Sequence, residues 1–110
     1  MSAFRPTVLS VDLGIIESNY DVVVRRCQNR PLQIAVVKAD AYGHGAPAVS
    51  KALLNRGAHM LAVACVDEAV ELREAGITAP VLVLGGSSAD ALSEAVARGV
   101  SAAVYAPEHV

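Results

Sequence analysis

Lys38 closes the apolar run Ile34-Ala35-Val36-Val37 and leads straight into the polar, glycine-flanked stretch Ala39-Asp40-Ala41-Tyr42-Gly43-His44-Gly45. A primary amine at the end of a buried strand lies at the mouth of a sheet. A low-dielectric wall at such a mouth favours the neutral form of an amine and makes it a nucleophile. In an extended backbone Val36 and Lys38 share one face. Tyr42 adds a ring and a hydroxyl four residues on, and Gly43 and Gly45 let the backbone approach a ligand closely. The plain alternative is a lysine that only marks where a strand meets solvent.

The other polar residues offer less. His44 reads as a solvated loop histidine. His59 and His109 stand far apart in sequence, and no ligand spacing joins them, so no metal site is expected. Asp40 serves either to orient the Lys38 loop or to cap it. Cys27 and Cys65 form no CxxC pair and read as reduced, structural thiols. Tyr105 is expected to pack in the core or at a sheet edge. Gly85-Gly86-Ser87-Ser88 reads as a strand-to-helix turn, the alternative being an amide site for an anion.

The elements that must position Lys38 share a repeated pattern from residue 31 onward: apolar strand, turn, amphipathic helix, glycine, next strand. Strands are expected at Ile34–Lys38, Leu61–Ala64, Val81–Leu84 and Ala102–Tyr105. Each is a continuous apolar run, as in parallel strands buried on both faces. The first intervening helix starts at Ala46 with Pro47 in its first turn, turns Val49, Ala52 and Leu53 inward, and stops at Gly57. The second takes Asp67 as N-cap, carries Val70, Leu72 and Arg73, and ends before Gly76. The third starts near Ser87-Ser88, buries Leu92, Ala95 and Val96, and stops at Gly99. Gly57, Gly76 and Gly99 thus share the position just past a helix end, where a left-handed residue is cheapest as glycine.

Ahead of the repeat, Thr7–Val11 reads as a strand, with Val8, Ser10 and Asp12 alternating against Leu9, Val11 and Leu13. A helix then runs from about Leu13 to Cys27. Its apolar face is Leu13, Ile16, Tyr20, Val23, Val24 and Cys27, and Gln28-Asn29-Arg30-Pro31 ends it. The fold class is α/β, with residues 1–110 as one domain. About four parallel βα units, preceded by a strand and a helix, make part of a (β/α)8 TIM-type barrel. A closed barrel needs eight strands and about 250 residues. The fourth strand has no helix after it, the sequence stopping at Pro107-Glu108-His109-Val110, so the sheet is expected to have an open, association-prone edge.

Composition excludes several functions. Hydrophobic residues make up 54% of the chain, yet no apolar stretch approaches the ~20 residues of a membrane span. Met1-Ser2-Ala3-Phe4-Arg5-Pro6 lacks a signal-peptide core, so a cytoplasmic protein is expected. The net charge is −2 with both signs interspersed, and aromatic residues are 4%. Neither nucleic acid nor a membrane surface is an expected partner.

The string Val36-Val37-Lys38-Ala39-Asp40-Ala41-Tyr42-Gly43-His44-Gly45 resembles the cofactor-lysine motif of the alanine racemases. Arg5-Pro6-Thr7, Val11-Asp12-Leu13 and Asn19 resemble the family's opening segment. Leu61-Ala62-Val63-Ala64, Glu68-Ala69, Leu72-Arg73, Gly76-Ile77 and Ala79-Pro80-Val81-Leu82-Val83-Leu84-Gly85 resemble its next two βα units. The resemblance implies pyridoxal 5′-phosphate as cofactor, with Lys38 as the Schiff-base lysine and as the base on the D-alanine side. It implies Tyr42 beside the cofactor, with Val36 and Leu84 lining its pocket at strand ends. It also implies alanine as substrate, a role in cell-wall precursor supply, and a homodimer for the full-length family.

The chain departs from the family pattern beyond the first half of the barrel. The family's second base is a tyrosine of a C-terminal β-domain, contributed by the partner subunit. Its pyridine-facing and carboxylate-binding arginines, and most of its phosphate-binding groups, also come later. The chain is therefore expected to resemble a truncated racemase, inactive alone. Two other readings stand beside it. One is a non-catalytic, split fragment acting only as an association module. The other is a related pyridoxal-dependent racemase of a different amino acid. The Ala41-Tyr42-Gly43-His44-Gly45 continuation speaks against decarboxylases of the same barrel class.

Overall fold

A computed structural model describes Phe4 and residues 6–109. Met1, Ser2, Ala3, Arg5 and Val110, named above, lie outside the described residues. Helix α1, Leu13–Arg26, starts where the Asp12 side chain accepts from the Ile15 N–H. It ends at Cys27, whose amide reaches back to the Val23 and Val24 carbonyls, and Asn29 and Arg30 then turn left-handed ahead of Pro31. Strands β1 (Ile34–Val36), β2 (Met60–Val63), β3 (Val81–Val83) and β4 (Ser101–Ala102) form one parallel sheet in that order. Between them run α3 (Ala46–Asn55), α4 (Val66–Glu74) and α5 (Ala89–Ala97), with one short helical turn, α2 (Lys38–Tyr42), after β1. A 3-10 turn at Pro107–His109 comes after β4.

Register sorts the strand residues into rows. Ala35, Leu61 and Val81 align, as do Val63, Val83 and Ala102. Leu61, Val63, Val81 and Val83 are buried in one cluster with Val49 of α3, Ala69 and Leu72 of α4 and Ala95 of α5. The intermediate row, Val36, Ala62, Leu82 and Ser101, stands outside that cluster. Helices thus cover one face of the sheet. The expectation that every strand is buried on both faces fails at β1, where Ile34 and Val36 are exposed at 49% and 41%. β2 alone is sheathed along Leu61, Ala62 and Val63.

The three inter-strand helices end alike. Gly57, Gly76 and Gly99 all have positive φ. Beyond them the amides of Ala58, Ile77 and Val100 reach back to the carbonyls of Leu53, Leu72 and Ala95. Ala58, Ile77 and Val100 are each buried. This is the Schellman arrangement: a left-handed glycine turns the chain and an apolar residue seals the turn.

Several expectations are corrected. Residues 7–11 form no strand; Val8 and Leu9 are exposed at 67% and 80%. Alternation gave them a strand pattern, but among the described residues no ladder partner takes their amides. β1, β3 and β4 are shorter than the apolar runs suggest, β4 being only two residues, while β2 keeps four residues but begins one position earlier, at Met60. The N-cap of α4 is Cys65, two residues ahead of Asp67, which lies in the first turn. Val96 is 80% exposed and Leu92 half-buried, so Ala95 alone of that trio is buried. On α1, Val23 is exposed at 59%, and no residue of the helix is fully buried.

Candidate active site

Val37 is the hinge of the site. Its amide still pairs with the Ala62 carbonyl at 2.9 Å, and its side chain is buried in the core. Its ψ of 25° then ends the strand. Lys38, the next residue, is exposed. The low-dielectric surround expected for the amine is therefore absent, because the sheet face beside it is uncovered.

After Lys38 the backbone adopts a conformation that L-residues avoid. Ala39, Asp40, Ala41 and Tyr42 have φ of 52°, 56°, 53° and 56°, and Gly43 continues at 86°. A left-handed turn costs about 1–2 kcal/mol per non-glycine residue, so four of them store on the order of 4–8 kcal/mol. Specific bonds hold it. The Ala41 amide donates to the Val37 carbonyl at 2.9 Å, and the Gly45 amide to the Asp40 carbonyl at 2.9 Å. Asp40 Oδ1 accepts from the Ala46 amide at 2.8 Å, capping α3. Asp40 thus ties the loop and caps a helix at once. Ala41 is buried, anchoring the turn in the core.

One residue of this arrangement is not apparent from sequence. Glu68 of α4 accepts from the Ala39 amide at Oε2 (2.7 Å) and from the Ala64 amide at Oε1 (2.6 Å). It stands at the third position of α4, where a glutamate commonly reaches back to an amide before the helix. Placing the N-cap at Asp67 hides that pattern; placing it at Cys65 reveals it.

The other site residues are more dispersed. Val36, Tyr42 and His44 border one cavity of about 180 Å³ with Ile16, Ala41 and Val49. Tyr42 is exposed at 59%. Lys38 and Leu84 do not line that cavity. Leu84 comes just after β3, with its amide on the Val63 carbonyl at 2.9 Å and 37% of its surface exposed. His44 Nδ1 lies 3.0 Å from the Ala41 carbonyl oxygen, within its own loop. Tyr105 is 66% exposed rather than packed; its hydroxyl donates to the Leu84 carbonyl. Gly85 needs to be glycine, since a Cβ there would stand 2.5 Å from the Ala64 carbonyl oxygen. Ser88 caps α5 by accepting from the Ala91 amide, so Gly85–Ser88 works as a turn. Cys65 is a free, exposed thiol, contrary to a structural role, and Cys27 is free and half-buried. Among the described residues no cluster of His, Cys, Asp and Glu suits a metal ion. No helix there is long and apolar enough to cross a membrane.

Parallel strands with helices on one face, and a lysine exposed where the first strand ends, define a segment of an α/β barrel. In that class chemistry sits at the carboxyl ends of the strands. The family described as alanine racemase, N-terminal domain, matches residues 11–110, and the chain belongs to it. It is 45% identical over 106 residues to alanine racemase 2 of Caldanaerobacter subterraneus subsp. tengcongensis, covering 96% of this chain and 27% of that protein. Its structure matches that of alanine racemase from E. faecalis with a TM-score of 0.90 at 36% identity, over 97% of this chain and 29% of the other. A histidine racemase from Leuconostoc mesenteroides subsp. sake matches at TM-score 0.85 and 26% identity, over 98% and 29%. The chain spans less than a third of the length of each.

Proposed function

We propose that this chain is the cofactor-lysine segment of a pyridoxal 5′-phosphate-dependent amino-acid racemase, with alanine as the substrate. The observation that carries the reading is the strained left-handed turn directly behind Lys38, at the open end of β1. Strain of that size persists where surrounding contacts over-determine it, and such places cluster at functional sites. Lys38 would hold the cofactor through its exposed Nζ, a primary amine of the type that can condense with an aldehyde. Both demands on this chain fit: an accessible primary amine, and apolar side chains, Val36 at the end of β1 and Leu84 just past β3, exposed on strands separated by β2. Tyr42 stands on the same turn as a ring and hydroxyl for the cofactor's flank.

When bound, pyridoxal 5′-phosphate supplies an electron-accepting ring that delocalises the charge left as Cα–H breaks. Lys38 Nζ would accept or return that proton on one face. Inversion needs a second base on the other face, and the family resemblance assigns it to a partner subunit's β-domain. A homodimer in the cytoplasm, serving D-alanine supply, is the assembly this reading calls for. The partly uncovered sheet favours a second reading, in which the chain acts by association with further polypeptide.

Lys51, exposed on α3, is the only other lysine in the sequence and provides an internal control. The chain is incubated with pyridoxal 5′-phosphate, reduced with borohydride, and mapped by peptide mass spectrometry. Labelling concentrated on Lys38 supports the proposal. Equal labelling of Lys38 and Lys51 refutes it.

A further inference from the structure

We propose that Glu68 is a positioning residue for Lys38, acting as a two-point carboxylate clamp between the ends of β1 and β2. The inference rests on the reading of Lys38 given above. Its two oxygens have separate partners: the Ala39 amide, first peptide after Lys38, and the Ala64 amide, first residue beyond β2. The second bond is local, four residues back along the chain. The first crosses 29 residues and joins two βα units. A helix cap needs only the local bond, so the cross-unit bond calls for its own explanation. The left-handed turn supplies one. Its first amide points away from the turn's internal bonds, and among the described residues Glu68 is the partner that takes it. Ala39 comes directly after Lys38, so fixing its amide fixes the peptide plane on the carboxyl side of the lysine. Val37, buried in the core, fixes the other side.

The carboxylate is suited to this in a way its amide analogue is not. Both contacts need acceptors, and Gln offers one acceptor and one donor. Glu68→Gln therefore sets an NH2 group against one backbone N–H. Loss of a charge-assisted bond to a backbone amide is worth roughly ten- to a hundredfold in the equilibrium it supports.

Three variants of the 110-residue chain test this: Glu68→Gln, Glu68→Asp, and Glu71→Gln, which removes the same charge from an exposed site on α4. Two quantities are read. The first is hydrogen exchange at the Ala39 amide by NMR. The second is the Lys38-to-Lys51 ratio of borohydride-trapped pyridoxal 5′-phosphate label. Glu68→Gln should speed Ala39 exchange about tenfold or more and lower the label ratio by a similar factor. Amides of Leu61 and Val81 in the sheet core should stay protected. Glu71→Gln should match the parent in both. Glu68→Asp, one methylene too short to span both amides, should shift both readings in the same direction and serves where the glutamine variant does not fold. An unchanged label ratio in a folded Glu68 variant overturns the proposal and leaves Lys38 in place. So does a loss of protection spread over the whole sheet, which would make Glu68 a general structural residue. Equal labelling of the two lysines in the parent chain removes the Lys38 reading, and the positioning role with it; Ala39 exchange still reports whether the clamp exists.

Discussion

Removing Arg73 should destabilise the chain by about 3 kcal/mol, far more than any other surface cation. Its guanidinium donates to four carbonyls: Ile77 at 2.9 Å, Ala79 at 2.8 Å, Arg98 at 3.0 Å and Gly99 at 3.1 Å. The first two lie in the loop from α4 into β3, the last two at the turn from α5 into β4. One side chain thus staples the entries to two adjacent strands. Three of the bonds are part-buried and the fourth is exposed. A hydrogen bond to a charged group contributes about 1.5–3 kcal/mol when shielded, and an exposed one much less. Four such bonds are not additive, because one desolvated guanidinium serves all of them and freed carbonyls partly rehydrate. Two fully effective bonds give the figure of about 3 kcal/mol. Arg73→Met keeps most of the stem's apolar packing and isolates that loss. Arg73→Lys should recover only part of it, since one ammonium cannot reach four carbonyls in a plane. Arg56→Met is the comparison: Arg56 faces Glu17 and Asp21 at 3.6 Å, 45% exposed, and should change stability by under about 1 kcal/mol. Urea denaturation monitored by circular dichroism reads all three. If Arg73→Met and Arg56→Met shift the midpoint equally, the staple argument is wrong.

Two further outcomes can be checked directly. Gly85→Ala should destabilise by about 2–3 kcal/mol, because its Cβ would meet the Ala64 carbonyl oxygen at 2.5 Å and neither backbone can retreat without breaking the Gly85–Ala64 hydrogen bond; wild-type thermal stability in that variant would refute the close approach. Burial, and secondarily the charge of Asp21, push the Tyr20 phenol above its usual range, so the folded chain holds that proton more tightly than the unfolded one. Stability should be whole below about pH 10 and fall as pH rises from there through the folded-state value; Tyr20→Phe should flatten that decline, and an unchanged slope would count against the assignment.

Apolar runs and glycines made the sheet legible. Continuous Val, Leu and Ala segments marked the four parallel strands, and Gly57, Gly76 and Gly99 marked three helix ends because only glycine adopts that turn without strain. The strand at residues 7–11 was misread for a related reason: alternation records a tendency, while a strand exists only with a neighbour to take its amides. Val96 was misread because helical spacing alone does not say how wide a stripe the sheet will cover. At the site, Lys38 and its glycines were legible as types. The left-handed turn was not, since Ala39, Ala41 and Tyr42 carry no local preference for positive φ. That geometry is imposed from outside, by the Glu68 carboxylate, the Asp40 cap on α3 and the burial of Val37 and Ala41.

A glycine-rich loop would carry the chain from β1 to α3 with less strain, so the left-handed turn needs a reason beyond connection. Flexible linkage would let the amine wander over several ångströms, and a reacting atom misplaced by one ångström can lose a hundredfold in rate. The chain instead places four side-chain-bearing residues in a disfavoured region and pins them with bonds from two different helices. Glu68 reaches in from α4 and Asp40 reaches out to α3. Together these two bonds and the buried Val37 side chain hold the backbone of Lys38 between a buried valine and a clamped amide. The rigidity therefore resides in the backbone on both sides of the lysine, while the side chain itself stays exposed and free to reach a partner.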